Sequence, residues 1–338
     1  MANLRANKIV GIGSTDAGLT FDGPISLNTQ GYVYFPTGNT TNRGRGRGVI
    51  FAGSPSTKSI EYLTIHTMGN GVRFGDLAMA AGFAGVSFAS ATRGIYAGGE
   101  NPSMTNEINY VTISTTANAL DFGDITRGAT GNSPGGAASS TRGLIFGGYT
   151  APTRQNVIDF LTIATTGNTQ DFGDITNLTD GLGACSSPTR AVCAGGNITP
   201  SGNTNIMEYV TIASAGNATD FGDLTEAKTL GAMASNSTRG IHAAGYQGST
   251  RLTTIEYLTI ATTGNAVDWG ATYLDDLYGN QSGMTNETRF VSAGGLAPGA
   301  TNLITHITIA TTGNIGDFGD LLTKRGYAGS CSDSHGGL

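Results

Sequence analysis

The chain has 338 residues, only 12% of them charged, and a mild formal net charge of −6. This balance gives no general electrostatic attraction to nucleic acid or to an anionic membrane, so neither partner is predicted. The 53 glycines are accompanied by regularly spaced strand-forming residues, which is typical of a turn-rich β protein and not of a disordered one. No apolar run approaches the roughly 18 residues of a membrane helix, and no signal-peptide core follows Met1, so we expect neither membrane insertion nor secretion by that route.

The first 44 residues differ from the rest of the chain. They contain strand-like pieces at 9–12, 19–25 and 32–35 but no repeat. An extended segment without a core of its own is expected to dock on another chain or to exchange strands between copies, which predicts homo-oligomers. Its candidate contact residues are Ile9, Phe21, Tyr32, Tyr34 and Phe35. The arginine- and glycine-rich run at 43–47 fits either a hinge or a contact with an acidic surface.

One phrase recurs six times from residue 45 onwards. Its copies begin at Ile60, Ile108, Ile158, Met207, Ile255 and Ile304. A second phrase, of the type Thr-Arg-Gly-Ile-Tyr-Ala-Gly-Gly at 92–99, lies between the copies and places arginines at Arg47, Arg93, Arg142, Arg190, Arg239 and Arg289. Both give a period of about 49 residues, which predicts a closed ring of β-sheets over residues 45–338.

Each repeat unit contains four strand candidates, which we call a, b, c and d. Strand a is rich in small residues, strand b follows the repeated arginine, strand c is the Ile-Glu-Tyr-Leu-Thr-Ile run, and strand d holds Asp-Phe-Gly-Asp. In the first strand c, Ile60 and Tyr62 point to one face, and Leu63 and Ile65 point to the other. Apolar residues on both faces predict a strand that is buried between neighbouring sheets.

The end of the sequence predicts how the ring closes. Residues 327–334 match the strand a pattern, whereas the first unit begins at strand b with Arg47. The C-terminal segment is therefore expected to supply strand a to the first unit and to remove an open sheet edge. Residues 32–35 are a rival for that position.

Several motifs resemble catalytic or metal-binding residues. Asp-Phe-Gly begins at Asp121, Asp171, Asp220 and Asp317, but neither a kinase catalytic loop nor a lysine-bearing strand accompanies it. We therefore interpret its phenylalanine as an outer-strand packing residue and the Gly-Asp that follows as a turn into the next unit. The four histidines occupy repeat positions or lack metal-ligand spacing.

The repeated arginines could ring one face and bind an anion; we favour hydrogen bonds to carbonyls, or pairing with an Asp of the neighbouring unit. Cys185 and Cys193 are expected to be free thiols, although a bridge is conceivable. No catalytic residue, metal or cofactor is predicted.

The six units differ most in their b–c loops, at 54–59, 100–107, 149–157, 197–206, 246–254 and 296–303. Loops on a rigid scaffold are where recognition usually resides. The candidate recognition residues there are Asn101, Tyr149, Arg154, Asn197, Tyr246 and Arg251. The d–a connection after Trp269 adds Tyr273, Asp275, Asp276 and Tyr278, which fit either a sugar site or an irregular sheet edge. Asp275 and Asp276 are a weak catalytic pair, because adjacent strand residues point apart.

The double glycine that ends strand b and the period of about 49 residues resemble kelch-type β-propellers. The Ile-Glu-Tyr-x-Thr-Ile-x-Thr-Thr-Gly-Asn-Ala-x-Asp-Phe-Gly-Asp-Leu pattern resembles, more specifically, the kelch-like repeats of bacteriophage virion proteins, particularly those of cyanophages and marine phages. The resemblance covers residues 45–338, and the kelch tryptophan is present only as Trp269.

The resemblance implies a six-bladed propeller with four-stranded blades and a non-enzymatic role in the virion, which is assembled in the host cytoplasm. It implies a tail, baseplate or fibre protein that is held to other virion proteins through the arm and binds a glycan or protein of the host surface. The alternative is a capsid or tail decoration or connector protein with a purely structural role.

Overall fold

The structure is a computed structural model that describes residues 46–55, 57–78, 82–100, 103–128, 130–272, 282–296 and 299–338. The described residues form strands, turns and bridges and contain no helix. The predicted arm, residues 1–44, lies outside the described residues.

The strands of the first half are short and regularly spaced. In chain order they are β1 (Arg47–Phe51), β2 (Ser59–Thr64), β3 (Val72–Asp76), β4 (Val86–Ala89), β5 (Arg93–Ala97), β6 (Glu107–Thr112), β7 (Leu120–Asp124), β8 (Gly135–Ala138), β9 (Arg142–Phe146), β10 (Tyr149–Thr150), β11 (Thr153–Arg154), β12 (Val157–Thr162), β13 (Gln170–Asp174) and β14 (Thr179–Asp180).

The second half continues the same spacing. Its strands are β15 (Gly183–Ser186), β16 (Arg190–Ala194), β17 (Asn197–Ile198), β18 (Gly202–Asn203), β19 (Ile206–Thr211), β20 (Thr219–Asp223), β21 (Ala232–Ser235), β22 (Arg239–Gln247), β23 (Thr250–Thr259), β24 (Val267–Thr272), β25 (Ser282–Thr285), β26 (Arg289–Ala293), β27 (Leu303–Thr308), β28 (Gly316–Asp320) and β29 (Gly329–Ser332).

These strands form antiparallel four-stranded sheets, which confirms the all-β prediction and is consistent with a propeller-like fold. Within the described residues there are six such sheets, in the strand orders I (β29-β1-β2-β3), II (β4-β5-β6-β7), III (β8-β9-β12-β13), IV (β15-β16-β19-β20), V (β21-β22-β23-β24) and VI (β25-β26-β27-β28). In each sheet the order is a, b, c, d, as predicted. The b–c loops add the small sheet β10-β11 and, together with β14 of a d–a connection, the sheet β14-β17-β18.

Sheet I combines the two ends of the repeat region. Strand β29 pairs antiparallel with β1, with Cys331 opposite Val49 and Gly329 opposite Phe51. The C-terminal segment thus supplies strand a of sheet I, as the sequence predicts. Its rival, residues 32–35, lies outside the described residues.

The innermost strands lie against one another from sheet to sheet. β4 contacts β8, β8 contacts β15, β15 contacts β21, β21 contacts β25, β25 contacts β29, and β29 contacts β4. This close approach explains their small residues. A Cβ on Gly136 would stand 2.7 Å from the carbonyl oxygen of Ser87 on the neighbouring inner strand.

Hydrophobic residues fill the spaces between neighbouring sheets. Phe51 and Ile60 of sheet I pack in one cluster with Val111 and Ile113 of sheet II. Leu63 and Ile65, from the opposite face of the same β2 segment, pack instead with Val291 and Ile304 of sheet VI. Burial of both faces of strand c therefore matches the prediction from its sequence. These apolar contacts, worth roughly 25 cal/mol per Å² of area removed from water, stabilise the stacking of the sheets.

Backbone hydrogen bonds also link the residues that precede the inner strands. The N–H of Ala84 donates to the carbonyl of Tyr327 at 3.0 Å, and the N–H of Ser133 donates to the carbonyl of Ala84 at 2.9 Å. Leu230 donates in the same way to Gly181 at 2.9 Å. Ala84, Leu230 and Tyr327 have φ of 60°, 60° and 52°, which is costly for residues with a Cβ. The linking hydrogen bonds offset that cost.

The antiparallel order gives the stack of sheets two faces. The turn face carries the a–b turns and the exposed c–d turns at 66–70, 114–118, 164–168, 213–217, 261–265 and 310–314. The loop face carries the b–c loops and the d–a connections. Gly46, where the described chain begins, lies on the turn face, because its carbonyl accepts from Ile65 at 2.6 Å and its N–H donates to Asp333 Oδ1 at 2.7 Å.

Candidate recognition surface

The Asp-Phe-Gly-Asp motif joins each outer strand to the next sheet. Phe122 is buried edge-on against Tyr110, with the ring centroids 5.9 Å apart. Gly123 has φ of 144°, and a Cβ there would stand 2.5 Å from the carbonyl oxygen of Gly167 in sheet III. Asn168 Oδ1 accepts from the N–H of Asp124 at 3.0 Å. The prediction that the phenylalanine packs in the outer strand is therefore confirmed. The predicted turn at Gly-Asp is wrong, because Gly123 and Asp124 are part of strand β7, where the glycine allows the close approach of the neighbouring sheet.

Sheet V has a variant of this junction. Trp269 replaces phenylalanine and still packs edge-on against the strand c aromatic, Tyr257, at 5.9 Å. Its indole Nε1 donates to the carbonyl of Gly313 at 2.9 Å. The single tryptophan is therefore also a residue of inter-sheet packing.

The repeated arginines bind backbone carbonyls of the following sheet. Arg93 Nη1 donates to the carbonyls of Ile163 and Ala164 at 3.0 and 2.8 Å, while its guanidinium lies 4.6 Å from the centroid of the Tyr110 ring. The other arginines bind the carbonyls of Ile113 (Arg47), Ile212 and Ala213 (Arg142), Ile260 (Arg190), Ile309 (Arg239), and Ile65 and His66 (Arg289). The predicted carbonyl hydrogen bonds are therefore confirmed.

Among the described residues, three Arg or Lys side chains form ion pairs that are buried between sheets, and the sequence analysis did not predict them. They are Arg127 with Asp159, at 2.7 Å, Lys228 with Glu256, and Arg325 with Glu61. The acids share one position in strand c, whereas the bases lie in the d–a connections. The glutamates also accept from backbone: Glu256 from Thr225 at 2.7 Å and Glu61 from Leu322 at 2.8 Å. The sequence feature that could have indicated these ion pairs is an acidic residue in a strand whose neighbouring residues are mostly apolar.

Burial and pairing shift the pKa values of these groups. Burial raises the pKa of Asp159 despite Arg127 beside it, and burial lowers the pKa of Arg127 and Arg325 despite their carboxylate partners. For Glu256, burial opposes ionisation, but hydrogen bonding and charge from His242 and Lys228 prevail and lower the pKa to about 2. These carboxylates lie between sheets and are at most 1% exposed, so they are structural groups.

The histidines occupy structural positions. His242 is buried with Nδ1 3.6 Å from Glu256 Oε1, and burial is the first cause that lowers its pKa. His306 takes the place of the strand c tyrosine and packs edge-on against Phe318. His335 Nε2 lies 2.6 Å from the carbonyl oxygen of Ala89 at the turn-face end of an inner strand.

The cysteines Cys185, Cys193 and Cys331 are free and buried, which confirms the expected free thiols. Burial raises the pKa of each thiol, that of Cys185 to about 12. They are therefore protonated near neutral pH and have little nucleophilic character.

The inner strands line a small open pocket of about 100 Å³, to which residues of all six sheets contribute, among them Ser87, Ser282 and Ser330. Their hydroxyls donate to the carbonyls of Ser330, Ala293 and Gly283 respectively, at 2.9 to 3.1 Å. The hydroxyls of Ser87 and Ser330 therefore link neighbouring inner strands, whereas that of Ser282 bonds within its own sheet. On the turn face, Gly336 lies across these strands, and its N–H donates to the carbonyl of Ser235 at 2.7 Å.

The b–c loops begin as part of the framework, which the sequence did not predict. The first residues of these loops pair with the preceding d–a connection: Ser54 with Gly326, Glu100 with Phe83, Tyr149 with Gly131, Asn197 with Asp180, and Tyr246 with Thr229. This pairing is made by backbone groups, so it requires no particular residue type and cannot be recognised in the sequence. In the loops of sheets III, IV and V, the exposed part is the tip, at 151–153, 199–201 and 247–250.

The candidate recognition residues fall into two groups. Tyr149 and Arg154 face each other across β10 and β11, and Tyr246 and Arg251 do so across β22 and β23. Asn197 lies on β17, opposite Asn203. The other candidates lie outside the described residues: Asn101, Tyr273, Asp275, Asp276 and Tyr278, and the arm residues Ile9, Phe21, Tyr32, Tyr34 and Phe35.

Within the part of the chain that the structure describes, no cluster of three or more His, Cys, Asp or Glu side chains could hold a metal ion. Over the same residues, no helix is long and apolar enough to cross a membrane. In comparisons with known proteins, no family model matches the chain and no curated protein is significantly similar to it.

Proposed function

We propose that the chain is a closed six-bladed β-propeller that serves as a non-enzymatic structural protein of a bacteriophage virion. In this proposal it belongs to the tail, baseplate or fibre, and its loop face recognises a glycan or protein of the host surface. The observation that supports this proposal is that repeated and variable residues have different roles. The residues repeated in the units connect neighbouring sheets, whereas the exposed loop tips of sheets III, IV and V differ in sequence.

Closure is supported by the junction between sheets VI and I, which uses the same contacts as the other junctions. Arg289 binds the carbonyl of Ile65, as Arg93 binds that of Ile163. Asn70 Oδ1 accepts from the N–H of Asp320 at 3.0 Å, as Asn168 does from that of Asp124. A closed ring removes the exposed sheet edges at its centre.

The virion assignment rests on the resemblance of the repeat to those of phage virion proteins. Attachment to other virion proteins and homo-oligomerisation are assigned to residues 1–44. No cofactor is proposed.

A second candidate is a purely structural decoration or connector protein of the capsid or tail. The turn face favours it, because that face repeats nearly the same exposed Thr-Thr-Gly-Asn turn in several sheets. A repeated flat surface suits adhesion to other virion subunits.

The test has two measurements. Antibodies against the propeller are applied to intact particles and located by electron microscopy; the proposal expects labelling at the tail, baseplate or fibre, and labelling over the capsid supports the decoration role. Purified protein is then incubated with host cells and with their isolated polysaccharide. Binding without sugar release supports recognition, no binding supports the connector role, and release of sugar overturns the non-enzymatic assignment.

A further inference from the structure

The exposed loop tips of sheets III, IV and V are tied together by hydrogen bonds. Arg154, in the loop of sheet III, donates from Nε to Asp180 Oδ1 at 2.9 Å and from Nη1 to Thr199 Oγ1, in the loop of sheet IV, at 2.8 Å. On the other side of that loop, Asn203 Oδ1 accepts from the N–H of Gly248, in the hairpin of sheet V, at 2.6 Å. We call residues 149–154, 197–203 and 246–251 the III–V surface.

A further contact reinforces the first junction. In the amide orientation that satisfies both partners, the Asn197 side chain accepts from Arg154 Nη2 at 2.8 Å and donates to the carbonyl of Gly202 at 3.3 Å. Three loops that differ in sequence are thus held in fixed relative positions. A preformed surface loses less conformational freedom when it binds a partner than three independent loops would.

The III–V surface is polar and contains two arginines, Arg154 and the exposed Arg251. Its other exposed tip residues are alanine, proline and threonine at 151–153, threonine, proline and serine at 199–201, and glutamine, glycine, serine and threonine at 247–250. Arg154 is neutralised by Asp180. Leu178, 41% exposed, borders the surface through its carbonyl, which accepts from the N–H of Thr199.

This composition favours one class of partner. The core of a protein–protein interface is enriched in aromatic, methionine and arginine side chains, of which the tips expose only Arg251 among the described residues. An acidic partner would require unpaired cations, whereas Arg154 is paired with Asp180 and Arg251 also has a partner within the chain. Hydroxyl and amide groups, with the half-buried rings of Tyr149 and Tyr246 beside them, suit a ligand rich in hydroxyl groups and without charge.

We propose that the III–V surface binds an uncharged polysaccharide. The inference rests on the proposed recognition function and adds to it the part of the loop face that binds and the class of ligand.

The test compares two sets of matched variants of the full-length protein. The first combines Thr153→Glu, Ser201→Glu and Thr250→Glu, one exposed residue in each tip. The control combines Thr116→Glu, Thr166→Glu and Thr263→Glu, exposed residues of the turn face, and adds the same charge. Binding is measured on host cells that are untreated, oxidised with periodate to destroy sugar diols, or treated with protease.

The proposal expects the tip variant to lose at least about tenfold in affinity, which is about 1.4 kcal/mol, and the control variant to bind like the wild type. Binding should be abolished by periodate, survive protease and change little with salt, because an uncharged ligand makes no screened contact. Equal loss in both variants, or an unaffected tip variant, would place the site elsewhere. Protease-sensitive or strongly salt-dependent binding would overturn the ligand class while leaving host recognition intact. Wild-type protein that binds no cells would defeat the proposed recognition itself.

Discussion

Arg289 and Ile65 stand 224 positions apart in the sequence, and their side chain and backbone meet at the junction of sheets VI and I. Arg289 Nη1 donates to the carbonyl of Ile65 at 3.0 Å and to that of His66 at 2.9 Å. Arg93 makes the equivalent pair of bonds between sheets II and III. The chain thus joins its distant parts with the same contact that it uses between consecutive repeats.

Replacing this arginine should weaken the junction. We expect Arg289→Ala to lower the free energy of unfolding by about 1–3 kcal/mol, because two carbonyls lose a charged donor. Arg93→Ala is the matched comparison. It should lower the free energy of unfolding by about 0.5–1 kcal/mol more than Arg289→Ala does, because Arg93 also stacks on the ring of Tyr110. In sheet VI, His306 occupies the position of that tyrosine. Urea unfolding measures both. An unchanged midpoint and slope for Arg289→Ala would show that the contact contributes nothing to stability.

The buried pair of Arg325 and Glu61 offers a second test at the same junction. Arg325→Met should destabilise the protein by about 3–5 kcal/mol, because it leaves the Glu61 carboxylate buried without its cation. Adding Glu61→Gln should restore most of that loss. The neutral amide can still accept from the N–H of Leu322 and bond the Thr323 hydroxyl, as the carboxylate does now.

The double-mutant cycle in urea gives the coupling energy. If the double variant is as unstable as the single Arg325→Met variant, the unpaired Glu61 carboxylate is not the main cause of the lost free energy of unfolding.

The sequence predicts what is local and periodic. Alternation in strand c and the small residues of strand a identify the four strands of each sheet, and repetition of Asp-Phe-Gly-Asp identifies it as packing. The buried cations were missed because they follow the motif at unequal distances: Arg127 is six residues after Asp121, whereas Arg325 is eight after Asp317. The pairing of Tyr149 with Gly131 was missed because backbone hydrogen bonds between repeats do not depend on side-chain type.

Acid should destabilise the protein through the junction of sheets IV and V. His242 faces Glu256, Lys228 and Glu226, and its pKa is lowered, first by burial. The unfolded chain therefore takes up a proton near the ordinary pKa of about 6.5 while the folded protein does not, so stability falls as pH drops below that value. Glu256, with its pKa lowered to about 2, adds a second loss as pH falls from about 4.5 towards 2.

His242→Ile tests the histidine contribution, because sheet III carries Ile145 at the same position, opposite Asp159. Thermal unfolding between pH 7 and 5 should depend less on pH in the variant than in the wild type. Parallel curves for the two proteins would exclude His242 as a source of the acid sensitivity.

Two glycines allow the effect of a close neighbouring atom on stability to be distinguished from the effect of backbone conformation. Gly123 and Gly167 have similar φ, 144° and 155°, but a Cβ would meet the carbonyl of Gly167 at 2.5 Å in the first case and nothing within 4 Å in the second. Both alanine variants bear the cost of positive φ, about 1 kcal/mol or more. Gly123→Ala should be the more unstable, since sheet III must also move away. Equal unfolding midpoints would mean that the junction adapts without cost.

Removing residues 1–44 tests the predicted domain boundary. Strand β1 is already paired on both sides, by β29 and by β2, so sheet I needs no strand from the arm. We therefore expect the shortened protein to keep the thermal midpoint of the full-length protein and to be a soluble monomer, while the full-length chain forms oligomers through the arm. Circular dichroism and light scattering coupled to size exclusion measure the two properties. If the shortened protein unfolds or aggregates, the arm is part of the folded core; if both proteins are monomers, the arm does not mediate self-association.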